Sequence, residues 1–317
     1  MDSSKPGIGI GACLLGHQVR YNGEAKRRNR HLESLREHVE FRSFCPEMAI
    51  GMSVPREPVR LVGELGAERL TDSASQSIDY SAPMQAYARE VLAKNPDMAG
   101  YVLVKGSPSC GFERVKRYNE RGNVILNDAV GLFAAELVKL DPLLPLEEDG
   151  RLNDSALREN FVSRVYVYHE WKKLRAEPLS YHRLTDFWAR YKYLLMSRDI
   201  SACKKIGRLL ANSGSSTAEE AATHFITLLM EGLRRVATRR THSNVLQHIR
   251  GYLKRDLIRE DRQELDSLIA QYSSGHLPLV VPITLLKHHF KHHSSGYIER
   301  QAYMQPYPEQ LSLRNNI

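Results

Sequence analysis

Three of the four cysteines in this 317-residue chain each follow a short apolar run and stand at the start of a turn. The runs lead to Cys13, Cys45 and Cys110, and glycine or proline follows each cysteine within three residues. Apolar runs bounded in this way are typical of buried strands. Because ligands bind at the carboxyl ends of strands in an open parallel sheet, the pattern predicts that the three thiols meet at one sheet edge. Three thiolates at one point can hold an iron–sulfur cluster and leave one iron without a protein ligand.

The first half of the chain alternates strand-like and helix-like segments, which predicts a Rossmann-like α/β domain with a mostly parallel sheet. Residues 51–66 are rich in glycine and proline and predict a long ordered loop. Residues 141–156 combine two prolines, an acidic run and a glycine, so no regular period continues through them. Beyond them the spacing becomes helical. We therefore predict an α/β domain over residues 1–145 and an all-α domain over residues 157–317, with its tail packed irregularly on the helices.

Charge is divided unevenly along the chain. The net charge is +8, and residues 1–150 carry 19 Lys and Arg against 21 Asp and Glu. Residues 151–317 carry 26 against 16, a net charge of +10. A near-neutral domain joined to a basic one predicts a catalytic part and an anion-binding part, with RNA as the expected partner. The alternative is a solvated basic surface on the helices.

The sequence also predicts the cellular location of the protein. No apolar stretch approaches the ~20 residues that span a bilayer, and the N-terminus lacks the basic and apolar regions of a secretory signal. We therefore expect a cytoplasmic protein without a membrane partner. In that reducing compartment, cysteines are more often catalytic or metal-binding than joined in disulfides.

Other motifs invite different assignments. The stretch from Gly7 to Ala12 matches GxGxxA, but only six residues precede it and no helix is predicted after it, which argues against a dinucleotide site. The absence of a CxxC pair argues against structural zinc. Residues His288–His293 place two pairs of histidines four residues apart, so a metal site and a basic helix face both remain open. Cys203 lies in the helical half and is predicted to be structural.

Short stretches in both halves carry a family resemblance. In the first half they are residues 13–23 (CLLGHQVRYNG), 45–58 (CPEMAIGMSVPREP) and 107–111 (SPSCG). As a set these resemble the thiouracil desulfurase family. In the second half, residues 188–197, 275–279 and 301–308 resemble the helical domain that is often fused to such desulfurases.

The resemblance implies a [4Fe-4S] cluster held by Cys13, Cys45 and Cys110, with one open iron. It also implies catalytic roles for Glu47 and Ser107. Glu47 would activate water or move protons, and Ser107 would hydrogen-bond the pyrimidine edge or the attacking water. The alternatives are a carboxylate that opens a helix and a serine that forms a turn.

The resemblance to two-domain members of this kind implies a specific reaction, which is the removal of sulfur from 4-thiouridine in tRNA by non-redox hydrolysis. The products are uridine and hydrogen sulfide. The first alternative is the same chemistry on free thiopyrimidines or thio-nucleotides, with the helical domain serving dimerisation. The second is a non-enzymatic iron–sulfur protein that binds RNA or senses redox state.

Overall fold

The computed structural model describes residues 4–27, 29–212 and 217–317. The chain forms two compact units, one ending at Asn153 and one running from Asp154 to Ile317. The first unit combines sheets with helices, and the second is built from helices. The predicted fold class, an α/β domain followed by an all-α domain, is confirmed.

The first unit contains two four-stranded sheets. Its strands are β1 (Gly7–Gly11), β2 (Glu40–Phe44), β3 (Val59–Val62), β4 (Arg69–Asp72), β5 (Met98–Leu103), β6 (Val115–Tyr118), β7 (Val124–Ala129) and β8 (Leu146–Glu148). Its helices are α1 (Arg30–Leu35), α2 (Pro46–Ala49), α3 (Ser81–Lys94) and α4 (Leu132–Leu140). The first sheet is parallel throughout, in the order β2-β1-β5-β8. The carboxyl ends of β1, β2 and β5 therefore lie side by side.

Strand β1 is fully buried, and its glycines make room for neighbouring side chains. A Cβ atom on Gly9 would overlap the ring of Tyr101, and one on Gly11 would lie 2.7 Å from Val104 Cγ2. A short 3₁₀ turn, Ala12–Leu15, follows the strand in place of an α-helix. The GxGxxA match thus has a packing explanation and lacks the helix that a dinucleotide site requires.

Strand β8 lies inside the segment predicted to break the chain between domains. It pairs in parallel with β5, and its three residues are buried. The first unit therefore continues past residue 145, as far as Asn153. Three residues flanked by prolines and acidic side chains are too few to show a strand period in the sequence.

The second sheet was not anticipated from the sequence. It has the order β4-β3-β6-β7, with β3 parallel to β6 and antiparallel pairing elsewhere. Strand β3 lies within the region predicted as a long loop, so that prediction was wrong for residues 59–62. Strands of four residues fall at the short end of the usual range and give a weak sequence pattern.

All the regular secondary structure in the described part of the second unit is helical. Its helices are α5 (Ser155–Arg175), α6 (Tyr181–Met196), α7 (Ile200–Ala211), α8 (Ala218–Leu233), α9 (Arg239–Arg250), α10 (Arg259–Ser273), α11 (Val280–His292) and α12 (Gly296–Glu299). Trp171, Phe187 and Phe225 form an aromatic core with ring centroids 5.7–6.0 Å apart. Within the described ranges, no helix combines the length and apolar character needed to cross a membrane.

The C-terminal tail packs on the helices without long regular structure, as predicted. Tyr303 is fully buried, and its hydroxyl lies 3.0 Å from Nδ1 of His242 on α9. Arg314 donates from Nη1 to the Tyr303 carbonyl. Its guanidinium also lies near Glu159, a buried carboxylate of α5 that accepts a hydrogen bond from Arg198 at 2.9 Å. The tail is therefore part of the core of this unit.

Candidate active site

The three predicted cysteines meet at the carboxyl edge of the parallel sheet. Cys13 lies in the 3₁₀ turn after β1, Cys45 directly follows β2, and Cys110 lies in the loop after β5. All three line one cavity of about 220 Å³. The convergence predicted from the strand ends is therefore present, because β2, β1 and β5 are neighbours in the sheet. The fourth cysteine, Cys203, is buried in the helical unit.

The environment of these thiols disfavours three separate negative charges. Burial raises the pKa of Cys110 to about 12. Burial also raises the pKa of Cys13, and the neighbouring Cys45 adds to that shift, while Lys26 and Arg20 oppose it. Burial raises the pKa of Cys45, against the opposing effect of the Met48 backbone N–H. A metal cation bound by the three sulfurs would offset the repulsion between their negative charges and keep them as thiolates.

Glu47 is fixed in place by two partners that bind its two carboxylate oxygens. Arg56 donates from Nε to Oε2 at 2.8 Å and from Nη2 to the same oxygen, and its own side chain is only 5% exposed. Ser109 is fully buried and donates from Oγ to Oε1 at 2.7 Å. Glu47 lines the cavity beside the cysteines, so its position suits the proton transfer predicted for it.

Ser107 also lines the cavity, and its oxygen shapes the loop that carries Cys110. Its Oγ accepts hydrogen bonds from the backbone N–H groups of Ser109 at 3.3 Å and Cys110 at 3.2 Å. The Cys110 thiol lies 3.5 Å from the same oxygen. The turn-forming alternative therefore describes part of what this serine does. Its position in the cavity wall leaves the predicted contact with substrate or water available as well.

Asp149 ties the Cys13 loop to the end of the sheet and was not anticipated from the sequence. Its Oδ1 accepts hydrogen bonds from Lys26 Nζ at 2.8 Å and from the backbone N–H of Lys105 at 3.0 Å. The backbone N–H of Lys26 in turn donates to the Cys13 carbonyl at 3.0 Å. One buried carboxylate thus links the Cys13 loop with the loop that leads to Cys110. The only sequence signal was its place in an acidic run after a buried strand.

The histidine-rich stretch at the end of α11 gives no further support for metal binding. His288 and His292 have ring centroids 5.0 Å apart. Within the described ranges, no third His, Cys, Asp or Glu side chain joins this pair in a three-ligand metal site.

The carboxyl edge of this parallel sheet combines three thiols, which are the usual ligands of a metal or iron–sulfur centre, with a carboxylate and a serine that can transfer or orient protons. Residues 8–149 match the family model for 2-thiouracil desulfurase. The chain is also 30% identical over 116 residues to the uncharacterized protein YbbK of Bacillus subtilis (strain 168), which covers 32% of this chain and 71% of YbbK. The chain belongs to the 2-thiouracil desulfurase family, which confirms the predicted family and the predicted enzyme class.

The helical half matches a different family. Residues 192–308 match a model described as a protein of unknown function, DUF1722. The uncharacterized protein YbgA of Escherichia coli (strain K12) is 26% identical over 167 residues, covering 52% of this chain and 96% of YbgA. Among solved structures, the [4Fe-4S]-dependent thiouracil desulfidase TudS is similar, with 28% identity and a TM-score of 0.39 over 47% of this chain and 94% of TudS.

Replacing Ser109 with alanine should slow desulfuration of a thiopyrimidine about 10- to 100-fold, since a hydrogen bond to a charged group contributes ~1.5–3 kcal/mol. The expected effect is on kcat with KM unchanged, because Ser109 positions Glu47 and does not line the cavity. Steady-state kinetics and the thermal unfolding midpoint check this. Ser34→Ala, on an exposed face of α1, is the matched control and should behave as the wild type. If the thermal unfolding midpoint of Ser109→Ala falls enough for loss of folded protein to explain the lower kcat, Ser109 acts only through folding.

Proposed function

We propose that this protein removes sulfur from 4-thiouridine in tRNA, releasing uridine and hydrogen sulfide, with a [4Fe-4S] cluster held by Cys13, Cys45 and Cys110. The observation that carries the proposal is that the three thiols, Glu47 and Ser107 line one cavity. Cysteine thiolates are the usual ligands of iron–sulfur clusters. Three of them leave a fourth iron position for a substrate atom.

The residues around the cavity fit such a cluster. The hydroxyl of Tyr101 is buried and has no hydrogen-bond partner among the described residues. Burial, and then the charge of Cys110 with smaller effects of the other two thiols, raises the pKa of Tyr101. Iron bound by the three thiols would offset the cysteine charges that act on this hydroxyl.

The bound cluster would supply an iron that suits the soft sulfur of a thione and polarises its C=S bond. Glu47, held by Arg56 and Ser109, takes a proton from the water that attacks the ring carbon. Ser107 orients the pyrimidine edge from the cavity wall. One water is consumed, the C=S bond becomes C=O, and the sulfur leaves with two protons as hydrogen sulfide. Electrons balance without any oxidant or reductant.

Binding of tRNA is assigned to the helical unit. Its net positive charge supports this, since phosphate contacts dominate affinity for nucleic acids. Exposed cations without an ion-pair partner in the described part of the chain include Lys204, Lys205, Arg240, Lys254 and Arg255. A thiolated base in folded tRNA has to leave its stack to reach an enclosed site, at a cost of a few kcal/mol. Contacts with the rest of the RNA offset that cost.

The test is a nucleoside digest after anaerobic reconstitution of the full chain with iron and sulfide. Incubated with thiolated tRNA, the loaded protein should convert 4-thiouridine to uridine and release an equal amount of sulfide. Free 4-thiouridine should react with a lower kcat/KM. Conversion of the free nucleoside alone would overturn the tRNA assignment in favour of small thiopyrimidine substrates. Loaded protein that releases no sulfide from either substrate would overturn the enzymatic assignment.

A further inference from the structure

Three tyrosines and a histidine form an aromatic cluster on the helical unit, here called the tyrosine cluster. Its members are Tyr193 of α6, His248 of α9, Tyr252 of the 3₁₀ turn Gly251–Leu253, and Tyr297 of α12. The rings of Tyr252 and Tyr297 are stacked, with centroids 5.9 Å apart and planes 29° apart. Tyr193 packs edge-on against Tyr297 at 6.3 Å and lies 6.4 Å from the His248 ring.

The inner part of this cluster is anchored and the outer part is open. Tyr193 is 4% exposed, and its hydroxyl donates to the Tyr252 hydroxyl at 3.4 Å. Tyr252 itself is 46% exposed. The segment after α12 is tied to α6, since the Ala302 N–H donates to the Arg190 carbonyl at 2.9 Å. The cluster is thus a pre-positioned aromatic surface, with Tyr252 outermost.

Cationic residues outnumber acidic ones in the chain segments that carry the tyrosine cluster. Lys254 and Arg255 lie two and three residues after Tyr252, both are exposed, and neither has an ion-pair partner within the described ranges. Lys192 and Arg300 lie next to Tyr193 and α12 in the chain. The acidic residues closest to the cluster in the chain are Asp256 and Glu299, and the Glu299 carboxylate accepts hydrogen bonds from Ser294 and Ser295. Asp266, on the neighbouring helix α10, is paired with Arg250. The charge balance favours a polyanion over a neutral protein surface.

We infer that the tyrosine cluster is a stacking site for an unpaired RNA base, with Lys254 and Arg255 contacting the adjacent phosphates. This inference rests on the proposed function in that the RNA would be the tRNA substrate. Unpaired bases are bound by stacking on aromatic rings within a positively charged surface, which is the combination present here. Protein interfaces also use tyrosine, but they are depleted in lysine.

The experiment measures binding of dye-labelled tRNA to the full chain by fluorescence anisotropy over a range of salt concentrations. Tyr252→Ala should weaken binding about tenfold, from the usual loss of one base stack, and leave the salt dependence unchanged because no phosphate contact is removed. Tyr252→Phe retains the ring and should bind as the wild type. Lys254→Ala with Arg255→Ala should weaken binding and also reduce the salt slope by up to about two.

Ile258→Ala is the matched control, because Ile258 is 61% exposed and close in the chain but offers no aromatic face. Tyr252→Ala that binds like the wild type overturns the stacking site and leaves tRNA desulfuration standing. Wild-type protein that binds no tRNA at low salt overturns both. Equal weakening in Tyr252→Phe or Ile258→Ala, or a change of oligomeric state in Tyr252→Ala with RNA binding intact, also overturns the stacking site. Thermal unfolding of each variant reports whether the fold is kept.

Discussion

Glu47→Gln should lower the rate of sulfide release by about 100- to 10,000-fold, the usual range for losing a general acid or base. Glutamine has nearly the same shape and can still accept the Ser109 hydrogen bond, so the cavity keeps its form. It cannot take a proton from water, and it leaves the buried Arg56 guanidinium without a counter-charge. The iron content of the variant should equal that of the wild type, because the three thiols are untouched.

Two measurements on each preparation decide this result: sulfide released per minute and iron bound per chain. Glu57→Gln is the matched control, since Glu57 is an exposed carboxylate in the segment between α2 and β3, and its replacement should change neither measurement. Near-normal sulfide release in Glu47→Gln would show that Glu47 serves only as an acidic residue in the first turn of the short helix α2. Loss of iron together with activity would make it a structural residue of the cluster site.

Cys110→Ser should reduce bound iron to background and abolish desulfuration. The hydroxyl of serine is a poor substitute for a thiolate toward iron, and two remaining cysteines offer too few ligands to hold a cluster. Cys13→Ser and Cys45→Ser should behave in the same way, because the three thiols line the same cavity. Elemental analysis, visible absorption and sulfide release after anaerobic reconstitution give the result.

Cys203→Ser supplies the control for the cysteine series. It replaces the remaining cysteine, which lies buried in α7, and should leave both iron content and activity unchanged. Cys110→Ser that still binds iron at the wild-type level would refute the assigned ligand set. Circular dichroism of each apoprotein separates loss of a ligand from loss of the fold.

The thiol edge of the sheet could be predicted because the relevant signal is local. Each cysteine follows an apolar run, and parallel neighbours place such positions together. The partners of Glu47 could not be predicted in the same way. Arg56 lies nine residues after Glu47 in the chain, and Ser109 lies 62 residues after it. Their contacts with the carboxylate depend on how two loops fold over one another, which no periodic pattern records.

Other structural features could not be predicted from the sequence, for different physical reasons. Strands β3 and β8 are four and three residues long, so neither shows a sustained period of two. The tyrosine cluster draws its rings from positions 193, 252 and 297, which only helix packing brings together. The sequence alone indicated that the second half is basic and helical. The aromatic surface on it could be located only from the structure.

The link between Asp149 and Lys26 has a consequence for the order in which the protein matures. Every cysteine of the site is synthesised before residue 111, but β8 and Asp149 leave the ribosome almost forty residues later. Until then the loop that carries Cys13 lacks its anchor, and β5 has an open edge where β8 will pair. Domains fold as units during synthesis. The loop that carries Cys13 and the one that leads to Cys110 therefore gain their shared anchor only when the last strand of the first unit has paired.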